Sequence, residues 1–340
     1  MNNHPSISRK DLQSSLIKLG ESLYSEKIPE KVLHEALQEN PWFTPYYIKS
    51  SLEGIRIWLQ KESLENFLAN YPIYESPPKE VAVIAAGNLP LVCFHDVLMS
   101  LLAGHICLLK TSHRDRVLIS YVRKLWIEIF PEIAAYFQLV EKVEHCDFLI
   151  STGSNNTARY IEAKYPHTPK LIRKNRFSVG LLTAEMNEEE MKGLAKDIFL
   201  YNGLGCRNVS NLLIFPEADL PTFYEILNDY PQNLLNPFYL ERVLYERSRL
   251  EQLGGNFKAF PKILVDYSPH LSFASMGLMF GVHIQQEGDD KELLTKHRDD
   301  IQIIVGQDTA YGYAQNPALN DFADDVDTLK LLSTLSNPPV

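Results

Sequence analysis

Residues 81 to 110 read VAVIAAGNLPLVCFHDVLMSLLAGHICLLK. The run VAVIAAG (81–87) is short and uninterruptedly apolar, which is typical of a strand buried on both faces of a parallel sheet. Residues 88–104 predict a helix with Pro90 in its first turn, where proline is tolerated, and HICLLK (105–110) predicts a second strand. A strand, a helix and another strand form a βαβ unit with parallel strands.

The same alternation continues towards the C-terminus. RVLISYVRKLWIEIF (116–130) predicts a helix, CDFLIST (146–152) a third strand, and SVGLLT (178–183) a fourth strand. A further helix is expected to open at Gly153-Ser154. We interpret residues 77–184 as a Rossmann-type nucleotide-binding domain built on a parallel sheet.

The region before this domain, residues 1–76, is predicted to be helical. Pro41 and Pro45 break the helical pattern, and a second helix is expected from about 47 to 69. The proline-rich stretch YPIYESPPKE (71–80) predicts a junction between the two regions. The apolar residues at helical spacing in the first helix are Leu12, Leu16, Leu19 and Leu23.

A second α/β domain is predicted over residues 185–305. NEEEMKGLAKDIFLYNG (187–203) has acidic residues in its first turn, which favours a helix, and this helix is expected to end at Gly203. NVSNLLIF (208–215) predicts a strand. Further strands are expected within 257–267 and 279–286, further helices at 220–230 and 236–255, and a loop and final helix within 306–340, completing the two domains.

The composition excludes several classes of function. The net charge of −10 over 340 residues disfavours binding to nucleic acid, which requires a basic surface. The N-terminus has no apolar signal-peptide segment, and no stretch is long and apolar enough to span a membrane. The four cysteines are scattered, so we expect a reducing, cytoplasmic location without disulfides.

Cys206 lies in LYNGLGCRNVSNLLIF (200–215), at the end of a glycine turn and just before an apolar run. Three interpretations are open for it: a structural thiol, a metal ligand and a nucleophile. Metal binding is disfavoured because no two cysteines have CxxC spacing and no histidine lies nearby in a zinc-like pattern, so no metal is expected.

Polar and glycine residues also follow the predicted strands, although no GxGxxG fingerprint follows the first one. Each has an ordinary structural alternative: Asn88 as a helix N-cap, Lys110 as a surface lysine, and Gly153-Ser154 as a helix start. The groups are Gly87-Asn88 after the first strand, Lys110-Thr111-Ser112 after the second, and Thr152-Gly153-Ser154 after the third.

This order of motifs, ending in Gly203-Leu204-Gly205-Cys206, resembles the aldehyde dehydrogenase superfamily. Within it the sequence is most similar to the acyl-CoA reductases, the group that includes the bioluminescence fatty-acid reductase component. GLGCRNVS (203–210), STGSNNTARYI (151–161) and IRKNRFSV (172–179) carry the resemblance. It implies an aldehyde-dehydrogenase-like α/β fold, with a Rossmann-type cofactor domain, an α/β catalytic domain and a helical N-terminal region.

The resemblance also implies roles for individual residues. Cys206 would attack a thioester carbonyl, and the Asn88 amide and the Cys206 backbone N–H would stabilise the oxyanion. Gly203 and Gly205 would expose the thiol and let the backbone approach the substrate and cofactor. The implied cofactor-binding residues are Gly87, Lys110, Ser112, Arg114, Gly153 and Ser154.

The sequence departs from the superfamily pattern at two places. Hydrolytic members have a glutamate that activates water, whereas the matching stretch here offers Arg173, Lys174 and Asn175. An acyl-enzyme without that base should pass its acyl group to or from a thiol rather than to water. NAD-dependent members often have a glutamate after the lysine. Ser112, His113 and Arg114 stand here instead, which favours NADPH, with NADH as the alternative.

Three further groups are open to two interpretations. His95 is either an acid or base near the leaving thiolate or a histidine satisfied in the core. The acidic group Asp324, Asp325 and Asp327 suggests a metal cluster, but the start of the last helix explains it better. The stretch 315–317 (Gln-Asn-Pro) is a candidate lining for the acyl site.

The sequence therefore favours an NADPH-dependent acyl-CoA (acyl-thioester) reductase that forms an aldehyde through an acyl-cysteine intermediate. The alternatives are an acyl-phosphate reductase or an aldehyde dehydrogenase of the same fold, and a non-catalytic acyl-binding or scaffold subunit. Acyl-CoA or an acyl carrier protein is the expected acyl donor. By resemblance, an acyl-activating partner enzyme and a homo-oligomer are further expected associations.

Overall fold

The computed structural model describes residues 7–25, 28–72, 77–153, 155–267 and 270–336. These residues form two compact units. The first unit contains Met1–Lys174 and Ala318–Val340, and the second contains Asn175–Pro317. The chain thus changes unit at residue 175 rather than at the expected boundary of 185, and residues 318–336 return to the first unit.

The described helices are α1 (Arg9–Ser25), α2 (Glu30–Glu39), α3 (Pro45–Trp58), α4 (Lys61–Leu68), α5 (Phe94–Leu102), α6 (Arg116–Ile129), α7 (Ile133–Tyr136), α8 (Asn155–Lys164), α9 (Glu188–Phe199), α10 (Leu220–Asp229), α11 (Pro237–Gln252), α12 (Asp289–Lys296) and α13 (Thr328–Ser333). The described strands are β1 (Glu80–Ile84), β2 (Ile106–Lys110), β3 (Phe137–Leu139), β4 (Phe148–Thr152), β5 (Lys170–Arg173), β6 (Phe177–Leu182), β7 (Val209–Ile214), β8 (Phe257–Ala259), β9 (Leu264–Tyr267), β10 (Leu278–His283) and β11 (Ile301–Val305).

A five-stranded sheet with the order β3-β2-β1-β4-β5 lies at the centre of the first unit. All its neighbouring strands are parallel, so the predicted Rossmann-type sheet is confirmed. The sequence analysis missed β3 and β5, which form the two edges of the sheet. β3 has only three residues and β5 reads KLIR, so neither shows a continuous apolar run.

The N-terminal region is helical, as predicted, and contains α1 to α4. Thr44 caps α3 by accepting a hydrogen bond from the Tyr47 N–H at 3.1 Å, and Pro45 takes the first helical position. The predicted second helix is divided, because α3 ends at Trp58 and α4 begins at Lys61. The leucines of α1 that are buried in the core are Leu12, Leu16 and Leu19.

The segment after β1 differs from the prediction. The helix begins at Phe94 rather than at residue 88, and residues 88–93 form bends and turns. Leu91 has a left-handed backbone (φ 57°), which a helix excludes, and its N–H donates to Asp115 Oδ2 at 2.6 Å. Asn88 therefore does not cap this helix.

A buried ion pair holds the returning C-terminal segment within the first unit. Arg173, the last residue of β5, donates hydrogen bonds to Asp96 Oδ1 at 2.8 Å, Thr328 Oγ1 at 2.8 Å and the Ala323 carbonyl at 2.7 Å. The side chains of Arg173 and Asp96 are only 5% and 9% exposed. The guanidinium thus links β5, α5 and the approach to α13.

The acidic group near the C-terminus has the structural role expected of it. Asp327 caps α13 by accepting a hydrogen bond from the Lys330 N–H at 2.9 Å, and it accepts another from the Tyr71 hydroxyl at 3.0 Å. Among the described residues, no group of three or more acidic, histidine or cysteine side chains is arranged to hold a metal ion.

The second unit contains a six-stranded sheet with the order β11-β6-β7-β10-β9-β8, in which only β8 and β9 pair antiparallel. The strand that the sequence analysis assigned to the first domain, β6, belongs to this sheet. Three residues separate it from β5. Parallel pairing between them would require a crossover of about a dozen residues or more.

β11 was also missed, because Gln302 interrupts its apolar pattern. It pairs in parallel with β6 at the edge of the second sheet. Across the ranges described, no helix is both long and apolar enough to cross a membrane.

Replacing Arg173 by leucine should lower the free energy of unfolding by about 3–5 kcal/mol, because the buried Asp96 carboxylate then loses its cationic partner. Urea unfolding followed by circular dichroism would measure this. Lys174→Leu is the matched control, since Lys174 is exposed, and it should change the value by less than about 0.5 kcal/mol. Equal losses in both variants would contradict a stabilising role for the ion pair.

Candidate active site

The predicted cofactor-binding residues lie at the carboxyl ends of three neighbouring strands. Gly87 and Asn88 follow β1, Lys110 ends β2, and Gly153 follows β4. β1 pairs with both β2 and β4, so these strand ends lie side by side. We call the side of the first sheet where its strands end its carboxyl edge. The strand order reverses there, and open α/β sheets bind ligands in the crevice at such a point.

Gly87 packs against the loop that follows β2. A Cβ atom at this position would lie 2.7 Å from Ser112 Cβ and 2.9 Å from Arg114 Cβ, so any side chain here would displace that loop. The Ser112 hydroxyl in turn accepts a hydrogen bond from the Arg114 N–H at 3.2 Å. The structure therefore brings Gly87, Ser112 and Arg114 together, and their binding of a cofactor stays a prediction.

Two residues support these loops: Glu39, the last residue of α2, and Asn40, which follows it. The sequence analysis missed both. Asn40 donates from Nδ2 to the Gly87 carbonyl at 3.0 Å. Glu39 Oε2 accepts hydrogen bonds from the N–H groups of Arg116 and Val117 at 2.8 and 2.9 Å, so a carboxylate already caps the N-terminus of α6. Neither residue belongs to a motif that could have indicated this role.

The end of β4 is tightly packed. A Cβ atom on Gly153 would lie 2.9 Å from Thr157 Cβ, which shows that the backbone approaches the first turn of α8 closely. The Gly153 N–H donates to the Arg173 carbonyl at 3.3 Å. Ser154, the other residue expected to bind the cofactor here, lies outside the described residues.

The remaining predicted residues of this edge differ in accessibility. Lys110 and Ser112 are half-buried, whereas Asn88, His113 and Arg114 are exposed. This edge thus carries an amide from Asn88, a hydroxyl from Ser112 and two cationic groups, from Lys110 and Arg114. An anionic ligand with hydroxyl groups, such as a dinucleotide, matches this chemistry.

His95 has the contacts of a structural histidine. Its Nε2 donates to the Leu319 carbonyl at 3.0 Å, and its ring packs edge-on against Trp58 and Phe322. Burial lowers the pKa of His95 below its ordinary value, which favours the neutral ring. These contacts fit the second interpretation from the sequence, a histidine satisfied in the core.

The stretch where hydrolytic relatives have their glutamate carries Arg173, Lys174 and Asn175. The Arg173 guanidinium is buried and bonded to Asp96, while Lys174 and Asn175 are exposed. None of the three is a carboxylate, so this stretch supplies no base for activating water.

The cysteine loop of the second unit begins with a left-handed turn. The preceding helix, α9, ends at Phe199 and not at Gly203 as predicted, since Tyr201, Asn202 and Gly203 have φ values of 57°, 56° and 70°. Asparagine and glycine tolerate this conformation better than tyrosine does. The turn reverses the chain direction just before Cys206.

Cys206 is the exposed cysteine of the chain. Cys93 and Cys107 are buried and Cys146 is partly buried. Burial raises the pKa of the Cys93 and Cys107 thiols and raises that of Cys146 to about 11, which disfavours their thiolates. Exposure in a glycine-containing loop is the environment expected of a reactive thiol, and it is unlike that of a core cysteine.

Two buried side chains hold the backbone around Cys206. Ser178 on β6 donates its hydroxyl hydrogen to the Cys206 carbonyl at 2.8 Å. Asn208 accepts a hydrogen bond from the Gly205 N–H at 2.9 Å. Asn208, two residues after the cysteine and just before β7, was not identified from the sequence, although a polar residue at this point was a visible signal.

Asp197 connects α9 to the segment that follows β11. Its carboxylate is 1% exposed and accepts hydrogen bonds from the N–H groups of Gly312 and Ala314 at 2.6 and 3.0 Å. Burial raises the pKa of Asp197 to about 6, an effect that these two hydrogen bonds oppose. Arg207, from the cysteine loop, contacts the same segment, because its Nε donates to the Ala314 carbonyl at 2.6 Å.

These contacts lead directly to the candidate acyl-site lining at 315–317. Arg207 neighbours Cys206 in the chain, and Ala314 neighbours Gln315, so the hydrogen bond between them ties the two segments together. The Gln315 Nε2 atom is buried without a hydrogen-bond partner in the described part of the chain. An amide in this state is a donor open to an acceptor.

Asn88 belongs to the first unit and Cys206 to the second. The oxyanion pair that the resemblance implies therefore stays a prediction. Gly203 lies in the left-handed turn and Gly205 directly precedes Cys206, and their role in exposing the thiol stays a prediction.

Iodoacetamide near neutral pH should alkylate Cys206 before the other three cysteines, because only this thiol is exposed. Peptide mass spectrometry over a time course would give the order of labelling. Cys206→Ser is the control, and this variant in its folded state should take up label only slowly. Early labelling of Cys93 or Cys107 would contradict the structure.

The stability of the protein should depend on pH through Asp197. The folded pKa of about 6 exceeds the ordinary value of 3.8, so between these pH values the folded state binds more protons than the unfolded state, and stability falls as the pH rises. The free energy of unfolding of wild type minus that of Asp197→Asn should fall by on the order of 3 kcal/mol from about pH 4 to about pH 7.

Urea unfolding of both proteins over this range would measure the difference. It should level off above about pH 7, where Asp197 is ionised in both states. A difference that stays constant, or that increases with pH, would contradict the raised pKa.

The fold matches those of solved structures, including aldehyde dehydrogenases. An aldehyde dehydrogenase of Mycobacterium tuberculosis complexed with NAD+ aligns with a TM-score of 0.62 and 13% identity over 86% of this chain and 72% of that one. KauB of Pseudomonas aeruginosa gives a TM-score of 0.64 and 15% identity over 88% and 76%. An NADP-dependent enzyme of E. coli gives 0.63 and 13% over 88% and 78%.

The sequence comparisons are more specific. No curated protein matches the chain. The family model described as Acyl-CoA reductase (LuxC) matches residues 41–234, which is more than half of the chain and includes the ends of β1, β2 and β4 and the Cys206 loop. The predicted aldehyde-dehydrogenase-like fold is thus confirmed, and the chain, an oxidoreductase with this fold, belongs to the LuxC family of acyl-CoA reductases.

Proposed function

We propose that this protein reduces an acyl-CoA thioester to an aldehyde with NADPH, through an acyl group carried on Cys206. The observation that carries the proposal is the exposed Cys206 thiol, held in a glycine loop by Ser178 and Asn208 in a chain of the acyl-CoA reductase family. Cys93 and Cys107 are buried, and partial burial raises the pKa of the Cys146 thiol to about 11.

In the first step the Cys206 thiolate attacks the thioester carbonyl carbon. A bond forms between Sγ and that carbon, the carbon–sulfur bond to coenzyme A breaks, and coenzyme A leaves as a thiolate that takes up a proton. The oxyanion formed between these events needs hydrogen-bond donors. The Asn88 amide and the Cys206 backbone N–H are assigned this role.

The dinucleotide is proposed to bind at the carboxyl edge of the first sheet. Lys110 and Arg114 would neutralise phosphate groups, and Ser112 would donate to the ribose or its 2′-phosphate. Glu39 already caps α6, and we assign the pyrophosphate to the N-terminus of α8, beside Gly153. When bound, NADPH supplies the hydride that reduces the acyl-cysteine to an aldehyde.

The choice of a reductase over a hydrolytic dehydrogenase depends on the stretch Arg173-Lys174-Asn175, which has no carboxylate. The Arg173 guanidinium is bonded to Asp96 and Thr328, and it cannot accept a proton from water. The acyl-cysteine therefore persists until it is reduced or returned to a thiol. An acyl-phosphate substrate would use the same cysteine and oxyanion donors, and it remains the alternative donor.

The associations of the protein remain proposals. An acyl carrier protein would present the same thioester group as coenzyme A, and an acyl-activating partner enzyme would supply it. A cytoplasmic location would suit four free cysteines. A homo-oligomer is proposed because of the resemblance to the superfamily.

Wild type should oxidise NADPH when mixed with acyl-CoA thioesters of increasing chain length, and Cys206→Ala should lower the rate by at least about 10³-fold, because the covalent step is lost. NADPH absorbance would be followed beside aldehyde formation. The same series with NADH should give a lower kcat/KM. Cys146→Ala is the matched control and should keep wild-type activity.

Turnover with acyl phosphate but not with thioesters would replace the proposed substrate class. Binding of NADPH without any turnover, even with an acyl carrier protein as donor, would favour the non-catalytic alternative. Equal activity of wild type and Cys206→Ala would overturn the mechanism.

A further inference from the structure

Asn208 makes an unusual number of backbone contacts for one side chain. It is 3% exposed, and its Nδ2 donates to the carbonyls of Asp197, Ile198 and Leu200 at 3.1, 3.3 and 2.7 Å. These carbonyls lie at the C-terminus of α9, where a helix leaves its last acceptors unpaired. The amide therefore joins the cysteine loop to the end of this helix.

Asn208 also holds the peptide groups on both sides of Gly205. Its Oδ1 accepts a hydrogen bond from the Gly205 N–H at 2.9 Å, and its own N–H donates to the Gly205 carbonyl at 3.1 Å. Both peptide planes that flank Gly205 are thus fixed by one residue. The second of these planes contains the N–H of Cys206.

The direction of the Cys206 N–H follows from peptide geometry. In a planar trans peptide the carbonyl and the N–H point in opposite directions. Because the Gly205 carbonyl points to Asn208, the Cys206 N–H points away from it. On the other side of the cysteine, Ser178 holds the Cys206 carbonyl at 2.8 Å and so fixes the next peptide plane.

We propose that Asn208 is a positioning residue, which aims the Cys206 N–H at the oxyanion formed when the thiol is acylated. The proposal rests on the proposed function, because it takes Cys206 as the nucleophile and its N–H as an oxyanion donor. Asn208 itself touches neither substrate nor cofactor in this role. Its side chain, anchored on the α9 carbonyls and on the Gly205 N–H, holds the main-chain N–H of Asn208 in place, and this N–H fixes the peptide plane between Gly205 and Cys206.

Two reactions of the same thiol separate positioning from general structural support. Acylation by an ester passes through a tetrahedral oxyanion, which needs the aimed donor. Alkylation by iodoacetamide displaces iodide from a saturated carbon and forms no oxyanion. A positioning residue therefore affects the first reaction selectively, whereas a residue that only maintains the fold affects both.

The test measures both rates on the full chain. With p-nitrophenyl butyrate, Sγ bonds to the acyl carbon, the ester C–O bond breaks and p-nitrophenolate leaves, while the thiol proton passes to the buffer. Asn208→Ala should slow this first turnover by at least about 10-fold, which is less than the about 10²–10³-fold loss for removing an oxyanion donor, because the variant keeps the Cys206 N–H and only misaligns it. Iodoacetamide labelling of Cys206 should change by less than about threefold.

Asn211→Ala is the matched control. Asn211 is also a buried asparagine of the second unit, but its amide bonds to Ser210 and Ser272 rather than to the cysteine loop. It should lose stability without changing the ratio of the two rates. If Asn208→Ala does not fold, Ser178→Ala should show the same selective loss, with a smaller effect.

Equal losses in both reactions, or normal acylation in Asn208→Ala, would overturn the proposal. If Asn208→Ala cannot be purified, an unchanged ratio in Ser178→Ala would do the same. The assay uses neither coenzyme A nor NADPH, so it is independent of the proposed substrate. A wild-type burst that Cys206→Ala fails to abolish would instead overturn the assignment of the nucleophile, and with it this proposal.

Discussion

The first unit depends on one constraint, which is that parallel strands cannot be joined by short turns. Each connection must cross a face of the sheet and return, and every strand therefore ends at the same edge. The loops after β1, β2 and β4 meet there because of this constraint, although residues 87, 110 and 153 are far apart in the chain. The predicted cofactor residues are neighbours as a consequence of topology, and the supporting contacts from Glu39 and Asn40 build on it.

The same constraint explains what could be predicted of the fold. β1, β2 and β4 were identified because they are apolar runs bounded by turns and helices, and these are local signals. The sheet to which β6 belongs was not identified, because pairing depends on the length of the connection from β5 and on partners elsewhere in the chain. β3, β5 and β11 were missed as edge strands, where short or mixed sequences hide the pattern.

The residues of the candidate site also divide into those that the sequence could predict and those that it could not. Cys206, Asn88 and Lys110 stood out because each follows a strand or a glycine turn in an order shared with a known superfamily. Asn208, Asp197 and Glu39 did not, because all three act by hydrogen bonding to backbone groups, and any residue type supplies those groups. Such contacts leave no motif in the sequence, so only the folded chain shows them.

Arg173 has a consequence for how activities in this fold can change over evolution. By resemblance it belongs to the stretch Arg173-Lys174-Asn175, where hydrolytic enzymes have a glutamate, and here it also links β5 to α5 and α13. A single mutation to glutamate would set one buried carboxylate against another, that of Asp96, and would release the C-terminal segment. A mutational route through position 173 therefore crosses an unstable intermediate unless the partners of Arg173 change first, so the ion pair limits which residues this position can accept.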